Sequence, residues 1–342
     1  MKDAPQILRS GGLVAFPTET VYGLGADATN AAAVKRIFLV KGRLLSNPLI
    51  VHVVDALMAQ RYASDWPAAA DRLATAFWPG PLAMIVPKSN LIVDEATAGR
   101  QTVALRAPDH PIALELLREF GGPIAAPSAN RSMRISPTTA EHVRRELGER
   151  VDLILDGGPC RVGIESTVLD LTPSRPVILR PGGISRQQIE AVIGHVDLFR
   201  GRVDEGKPAA SPGQQAVHYS PQKPSYRFEA RDLQEVVDHW RRSPQRIAIL
   251  CMRDQAVINQ EFSRAIVQPH VIHMPAGEAP YAHRLYAALR EADDSEVSSI
   301  WIEMPPDEAH WYAVRDRITR ATQSGSDFRD LAPFRREDLS LE

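Results

Sequence analysis

The sequence predicts an α/β protein of two domains. Short β-branched or apolar runs alternate with helical patterns from residue 13 to about 199, the alternation lapses around 200–225, and it then resumes. The length of 342 residues exceeds the usual size of one domain. The boundaries fall at 1–200 for the first domain, 201–225 for a linker, and 226–342 for a smaller α/β domain.

In the first domain, strands are expected at 13–16, 49–54, 82–87, 102–108, 123–128, 153–156, 166–171 and 177–180. A helix is expected over "AAAVKRIFLVKG", where Val34, Ile37, Phe38 and Lys41 fall at helical spacing. A second, over "TTAEHVRREL", follows Ser136-Pro137, which reads as a cap and first-turn pair. The stretch "RGRVDEGKPAASPGQQAVHYSPQKPSYR" has no apolar periodicity and reads as a linker. Beyond it, "LQEVVDHW", "RIAILC", "AHRLYAALREAD", "SIWIEM" and "YAVRDRITRAT" again alternate helix and strand.

The net charge of -2 gives no global pull toward nucleic acid or membrane, so any basic site is local. Cys160 and Cys251 stand far apart, which argues against a disulfide framework or zinc ribbon and fits packing residues in a reducing cytosol. No apolar run approaches the roughly 18 residues that would span a bilayer, and a soluble cytoplasmic protein is expected.

Four stretches are unusually polar beside buried strands. In "PTETVYGLG", Gly23 and Gly25 allow close backbone approach, while the hydroxyls of Thr18 and Thr20 serve either the turn itself or a pocket. In "KGRLLSNPLIVH", Lys41 and Arg43 follow a helix that ends at Gly42, and Asn47 and His52 come after; the two cations form either a polyphosphate clamp or a solvated helix terminus. In "APSANRSMRISPTTAEH", a strand empties into a loop carrying Ser128, Asn130 and Ser136, a passage able to hold phosphate oxygens or to cap a helix. "GIESTVLDL" and "ILRPGGIS" set Ser166 at a strand start and Arg180 at a strand end, and Arg106 is a further strand-borne cation. Charges in apolar strands are costly unless paired or aimed at an anion. Two such arginines, together with Lys41 and Arg43, favour an anionic ligand. There is no Walker or dinucleotide loop, catalytic triad or metal-ligand cluster; His270 and His273 read as structural or exposed.

In this order and spacing, "FPTETVYGLG", "KGR…NPLIVHV", "TVALRAPDHP", "APSANRS…SPT", "GIESTVLDL" and "ILRPGGIS" resemble the YrdC-type threonylcarbamoyl-AMP synthases, over about residues 5–195. "SPGQQAVHYSP" and the domain after it resemble the long, two-domain form. The resemblance implies a twisted, open mixed sheet with flanking helices, followed by a Rossmann-like α/β domain. It implies a nucleotidyltransferase that joins L-threonine, bicarbonate and ATP into threonylcarbamoyl-AMP with release of pyrophosphate, for threonylcarbamoyladenosine modification of tRNA. Mg²⁺ is implied with the triphosphate, and the product is handed to the tRNA threonylcarbamoyl transferase machinery.

Carried over by position, the resemblance places Thr20, His52, Arg106, Ala126 and Ser166 at L-threonine. It places Arg43, Asn47, Thr102, Ser128, Ser136, Arg180 and Tyr219 at ATP, with Ser128 between the two substrates. Lys41, Arg43, Ser128 and Asn130 match the family's Lys-Arg-Ser-Asn signature, and Tyr219 makes the linker a lid. Leu44 stands where the family usually has Pro, and Met133 where it has Gly, a residue better suited to positive φ. The other reading is an RNA-binding or ribosome-associated module, with Lys35, Arg36, Lys41 and Arg43 lining a basic face.

Overall fold

The computed structural model describes residues 3–199, 201, 218–242, 245–262 and 267–325. Residues 202–217, which make up most of the expected linker, lie outside the described residues.

The first sheet contains β1 (Val14–Phe16), β2 (Gly23–Asp27), β3 (Ile50–His52), β4 (Leu82–Pro87), β5 (Thr102–Arg106), β6 (Ile124–Ala125), β7 (Leu153–Ile154), β8 (Thr167–Asp170), β9 (Val177–Arg180) and β10 (Asp197–Leu198). Their spatial order is β10-β9-β8-β4-β5-β3-β6-β2-β1-β7. Parallel pairs (β1 with β7, β3 with β5, β4 with β8, β9 with β10) mix with antiparallel ones, giving the open mixed sheet. Leu13, Leu24, Val51, Met84, Leu105 and Leu169 are buried beneath the helix Ala31–Lys41 and its neighbours. Full burial of each such side chain stabilises by roughly 1.5–3 kcal/mol.

β2 has no clear strand pattern in the sequence because glycine occupies two of its five positions. Packing explains Gly25: a Cβ there would lie 2.8 Å from both the Phe16 ring and Ile124 Cγ2. The close approach is to β1 and β6. The helix Ala31–Lys41 starts at Asn30, whose Oδ1 accepts from the Ala32 and Ala33 amides, and stops at Gly42 with φ 61°. The next expected cap is corrected. The helix Ala140–Leu147 begins with Thr139, whose hydroxyl accepts from the His142 amide, and Ser136 faces inward.

The second sheet contains β11 (Ser225–Phe228), β12 (Ile247–Cys251), β13 (His270–His273), β14 (Ser299–Glu303) and β15 (Gln323–Ser324), ordered β13-β12-β14-β11-β15 and parallel throughout. Helices Glu278–Asp294 and Tyr312–Ala321 pack on it through Leu285, Leu289, Val314 and Ile318. His270 and His273 are exposed on β13, and both cysteines are buried and free. Among the described residues no helix is long and apolar enough to cross a membrane.

Candidate active site

A narrow cavity of about 50 Å³, edged by charged and polar side chains, opens where the turn after β1, the ends of β3 and β5, and the loops after β6 and before β8 converge. Eight of the sequence-predicted residues line it: Thr20, Arg43, His52, Arg106, Ala126, Ser128, Arg180 and Tyr219.

One side is organised by Glu19. Its Oε1 lies 2.7 Å from Arg106 Nη2, and its Oε2 accepts from the Asp109 amide at 3.1 Å. Arg106 also donates to Thr20 Oγ1 at 3.0 Å and to the Gly80 carbonyl at 3.2 Å. Arg106 therefore has a carboxylate partner and still faces the cavity. Thr18 builds the turn, donating to the Val21 carbonyl at 2.6 Å, and its oxygen lies 2.8 Å from that of Thr20. The turn reading of "PTET" thus falls to Thr18, while both of its threonines border the cavity. His52 and Arg106 are register partners on β3 and β5, so their side chains share a face. Burial, and then the Arg106 charge, push the His52 imidazole down to about 3, so the ring is neutral.

The other side is organised by Glu165. Its Oε1 accepts from the Ser136 hydroxyl at 2.6 Å, and its Oε2 from Tyr286 at 2.9 Å and Arg317 Nε at 2.7 Å. Burial would raise this carboxyl, but the Arg317 and Arg180 charges and the Ser136 bond prevail and hold it at about 2. Arg180 donates to the Ser166 carbonyl at 3.0 Å and to its hydroxyl at 3.2 Å. Gly182 permits this crossing, since a Cβ there would meet the Thr167 amide at 2.3 Å. Tyr219 lines the cavity with φ 64° and 1% exposure, and its neighbours are the rings of His218 and Tyr286. It is anchored on both flanks: the His218 amide donates to the Arg320 carbonyl, and the Ser220 amide to the Met133 carbonyl.

The remaining predicted residues lie apart from the cavity. Buried Lys41 reaches the Ser128 and Asn130 carbonyls, and Asn130 Nδ2 donates to the Arg131 and Arg134 carbonyls, so these two shape the serine loop. Asn47 and Lys41 border a neighbouring groove with Arg131, Arg134 and Arg150, and Thr102 sits at the start of β5 beside Arg100. The basic face drawn from the sequence is corrected. Lys35 pairs with Glu95 and Arg36 with Asp152, while Lys41 is buried and Arg43 lines the cavity. Buried polar atoms without a partner recur here: Arg43 Nε, His52 Nδ1, His218 Nδ1 and the Tyr219 hydroxyl all belong to lining residues. Such atoms are costly unless a polar ligand satisfies them.

Glu19, Glu165, His218, Tyr286 and Arg317 are absent from the sequence prediction. Glu165 in "GIESTVLDL", a charge beside an apolar strand, carries the same signal as Arg106 and Arg180. Arg317 shares an i, i+3, i+4, i+7 stripe with Val314, Ile318 and Ala321, which places it on the buried face of its helix.

Residues 6–182 match the Sua5/YciO/YrdC family, described as "Telomere recombination", and residues 184–323 match "Threonylcarbamoyl-AMP synthase, C-terminal domain". The chain is 42% identical to the threonylcarbamoyl-AMP synthase of Bacillus subtilis, over 93% of this chain and 91% of the relative. It is 38% identical to that of Pyrococcus abyssi, over 93% of each. The crystal structure of P. abyssi Sua5 complexed with L-threonine superposes with a TM-score of 0.84 at 37% identity, covering 93% of each chain. The fold and site define a two-domain nucleotidyltransferase built on the mixed YrdC sheet. The chain belongs to the threonylcarbamoyl-AMP synthase family.

Proposed function

We propose that the two sides of the cavity divide the family's substrates, with L-threonine on the Glu19 side and ATP on the Glu165 side. The observation that carries this reading is the convergence of Thr20, His52, Arg106, Ser128, Arg180 and Tyr219 on one cavity from six separate segments. Arg106 pairs the threonine carboxylate while Glu19 holds the guanidinium in place. Neutral His52, the Ala126 backbone and Thr20 complete that pocket, and the neutral imidazole accepts a hydrogen bond without repelling the amine proton donor. Arg43, Ser136, Arg180 and Tyr219 serve the nucleotide, Ser128 stands between the substrates, and Asn47 and Thr102, which border separate pockets, take no direct part in this arrangement.

The threonine amine attacks bicarbonate carbon, giving an N-carboxylate with loss of water. A carboxylate oxygen then attacks the α-phosphorus of ATP, and pyrophosphate leaves. The protein supplies no covalent nucleophile. Buried guanidiniums stabilise the charge that develops, and the two substrates are held in line. Lys41 and Asn130 contribute by fixing the loop that carries Ser128.

Magnesium would accompany the triphosphate. The buried carboxylates Glu19 and Glu165 are engaged by Arg106 and Arg317, and no group of three His, Cys, Asp or Glu among the described residues could hold a metal. The domain division 1–200, 201–225 and 226–342, a cytoplasmic location, and transfer of the product to the tRNA threonylcarbamoyl transferase machinery belong to the same reading. An RNA-binding role is not favoured, since Lys35 and Arg36 are paired with carboxylates, Lys41 is buried and Arg43 lines the cavity. Pyrophosphate release from ATP tests the reading: it requires both threonine and bicarbonate, and a rate indifferent to threonine would refute it.

A further inference from the structure

We propose that Arg317, carried by the second domain, is a positioning residue for the nucleotide side of the first domain's cavity. Arg317 is fully buried, with 0% exposure, on the helix Tyr312–Ala321. Its Nε donates to Glu165 Oε2 at 2.7 Å, its Nη2 to the Pro181 carbonyl at 2.9 Å, and its Nη1 to Asp316 Oδ2 at 2.9 Å. Its guanidinium carbon lies 5.3 Å from the centre of the Tyr219 ring, within cation–π range.

One side chain thus holds a carboxylate, a backbone carbonyl and the Tyr219 ring. The second domain also supplies Tyr286, which donates to Glu165 and lies 5.7 Å, ring to ring, from Tyr219. A purely cohesive contact between domains would be served equally well by packed apolar residues, because desolvating an ion pair offsets most of its Coulombic gain. What an arginine adds is geometry, since its planar fork fixes several acceptors at once. The cavity residues it holds, Glu165 and Tyr219, belong to one half of the site. Ser136 hangs on Glu165, Arg180 follows next in the chain before Pro181, and Tyr219 lies under the guanidinium. Thr20, His52 and Arg106 are organised separately around Glu19 and β3. Loss of Arg317 therefore disturbs ATP more than threonine. This inference rests on the placement of Ser136, Arg180 and Tyr219 at the nucleotide.

The test is steady-state kinetics of pyrophosphate release by the full chain, with ATP and threonine varied in turn, together with thermal unfolding. The variants are Arg317→Met, Arg317→Lys, Tyr286→Phe and Tyr219→Ala. Arg317→Met and Arg317→Lys are expected to raise KM for ATP roughly tenfold or more and KM for threonine by less than about twofold. Lysine keeps the charge but cannot span the same acceptors, so its effect is the smaller of the two. Tyr286→Phe is expected to raise KM for ATP about threefold, with little change in Tm.

Wild-type KM for ATP in both Arg317→Lys and Tyr286→Phe overturns the proposal, whether or not Arg317→Met folds. Equal increases in both KM values overturn it too. Tyr219→Ala separates the two layers. If it leaves KM for ATP unchanged, the nucleotide placement fails and the proposal falls with it. If it raises that KM while the Arg317 variants do not, only the role of Arg317 fails.

Discussion

Arg106 Nη2 lies 2.7 Å from Glu19 Oε1, and both side chains are almost entirely buried. Arg106 lines the cavity with Glu19 behind it, and Arg106 also holds Thr20. Arg106→Ala should therefore raise KM for threonine at least about tenfold more than KM for ATP. The same change strands a buried carboxylate and should cost about 3–5 kcal/mol of stability. Glu19→Gln tests the pairing from the other side, leaving a neutral partner and costing less. Initial-rate kinetics alongside chemical denaturation check this; equal shifts in the two KM values would refute the carboxylate assignment.

Met133 adopts φ 68°, where a side chain costs roughly 1–2 kcal/mol that glycine avoids. Its carbonyl receives the Ser220 amide, so this strained residue anchors the segment carrying Tyr219. Met133→Gly should match or exceed wild-type stability by up to about 1 kcal/mol, part of the relief being offset by glycine's greater unfolded-state entropy. Met133→Val should be the least stable of the three. Urea midpoints decide, and a Met133→Gly protein well below wild type would show the turn to be unstrained.

Acid should weaken the fold from near neutrality downward. Burial, acting first, together with nearby Arg106 for His52, and Arg43, Lys41 and Arg180 for His218, brings both rings down to about 3, from the usual 6.5. Glu165 opposes the shift of His218 without reversing it. Between those values the unfolded chain binds protons that the folded chain does not. Stability from this source is complete above about 6.5 and is lost as pH falls toward about 3, by about 1.4 kcal/mol per pH unit for each ring. Glu165, held at about 2 instead of 4.5, adds a further loss from about 4.5 down to about 2. Unfolding free energy measured against pH should show the first slope, and His218→Gln should flatten it. A curve level between about pH 8 and 5 would contradict the neutral assignments.

Ending the chain after residue 205 removes Tyr219, Tyr286 and Arg317 together. The remaining fragment should lose activity by about 100-fold or more while retaining its circular dichroism. An active fragment would show that the second domain is dispensable for catalysis.

The fold class was legible because strand residues such as "LAMIVP" and "TVALR" are continuous apolar runs, as strands covered on both faces must be. β2 was not, since its glycines answer to Phe16 and Ile124, neighbours distant in sequence or across a turn. Cations in the site stood out against apolar strands, but their carboxylate partners did not. Glu19 hides within a turn whose hydroxyls suggest local bonding, and Glu165 pairs with an arginine 152 residues away. Ser136 looked like a helix cap because the same hydroxyl that caps a helix also serves a buried carboxylate. Tertiary partners decide between such readings, and a single sequence does not display them.

The most direct test of the central claim supplies ¹³C-bicarbonate with ATP and L-threonine and measures the mass of the adenylate formed. The labelled carbon should appear in the product, as threonylcarbamoyl-AMP carrying the carbamoyl group. An unlabelled threonyl-AMP would contradict the account, because threonine's own carboxylate would then have attacked phosphorus rather than resting on Arg106.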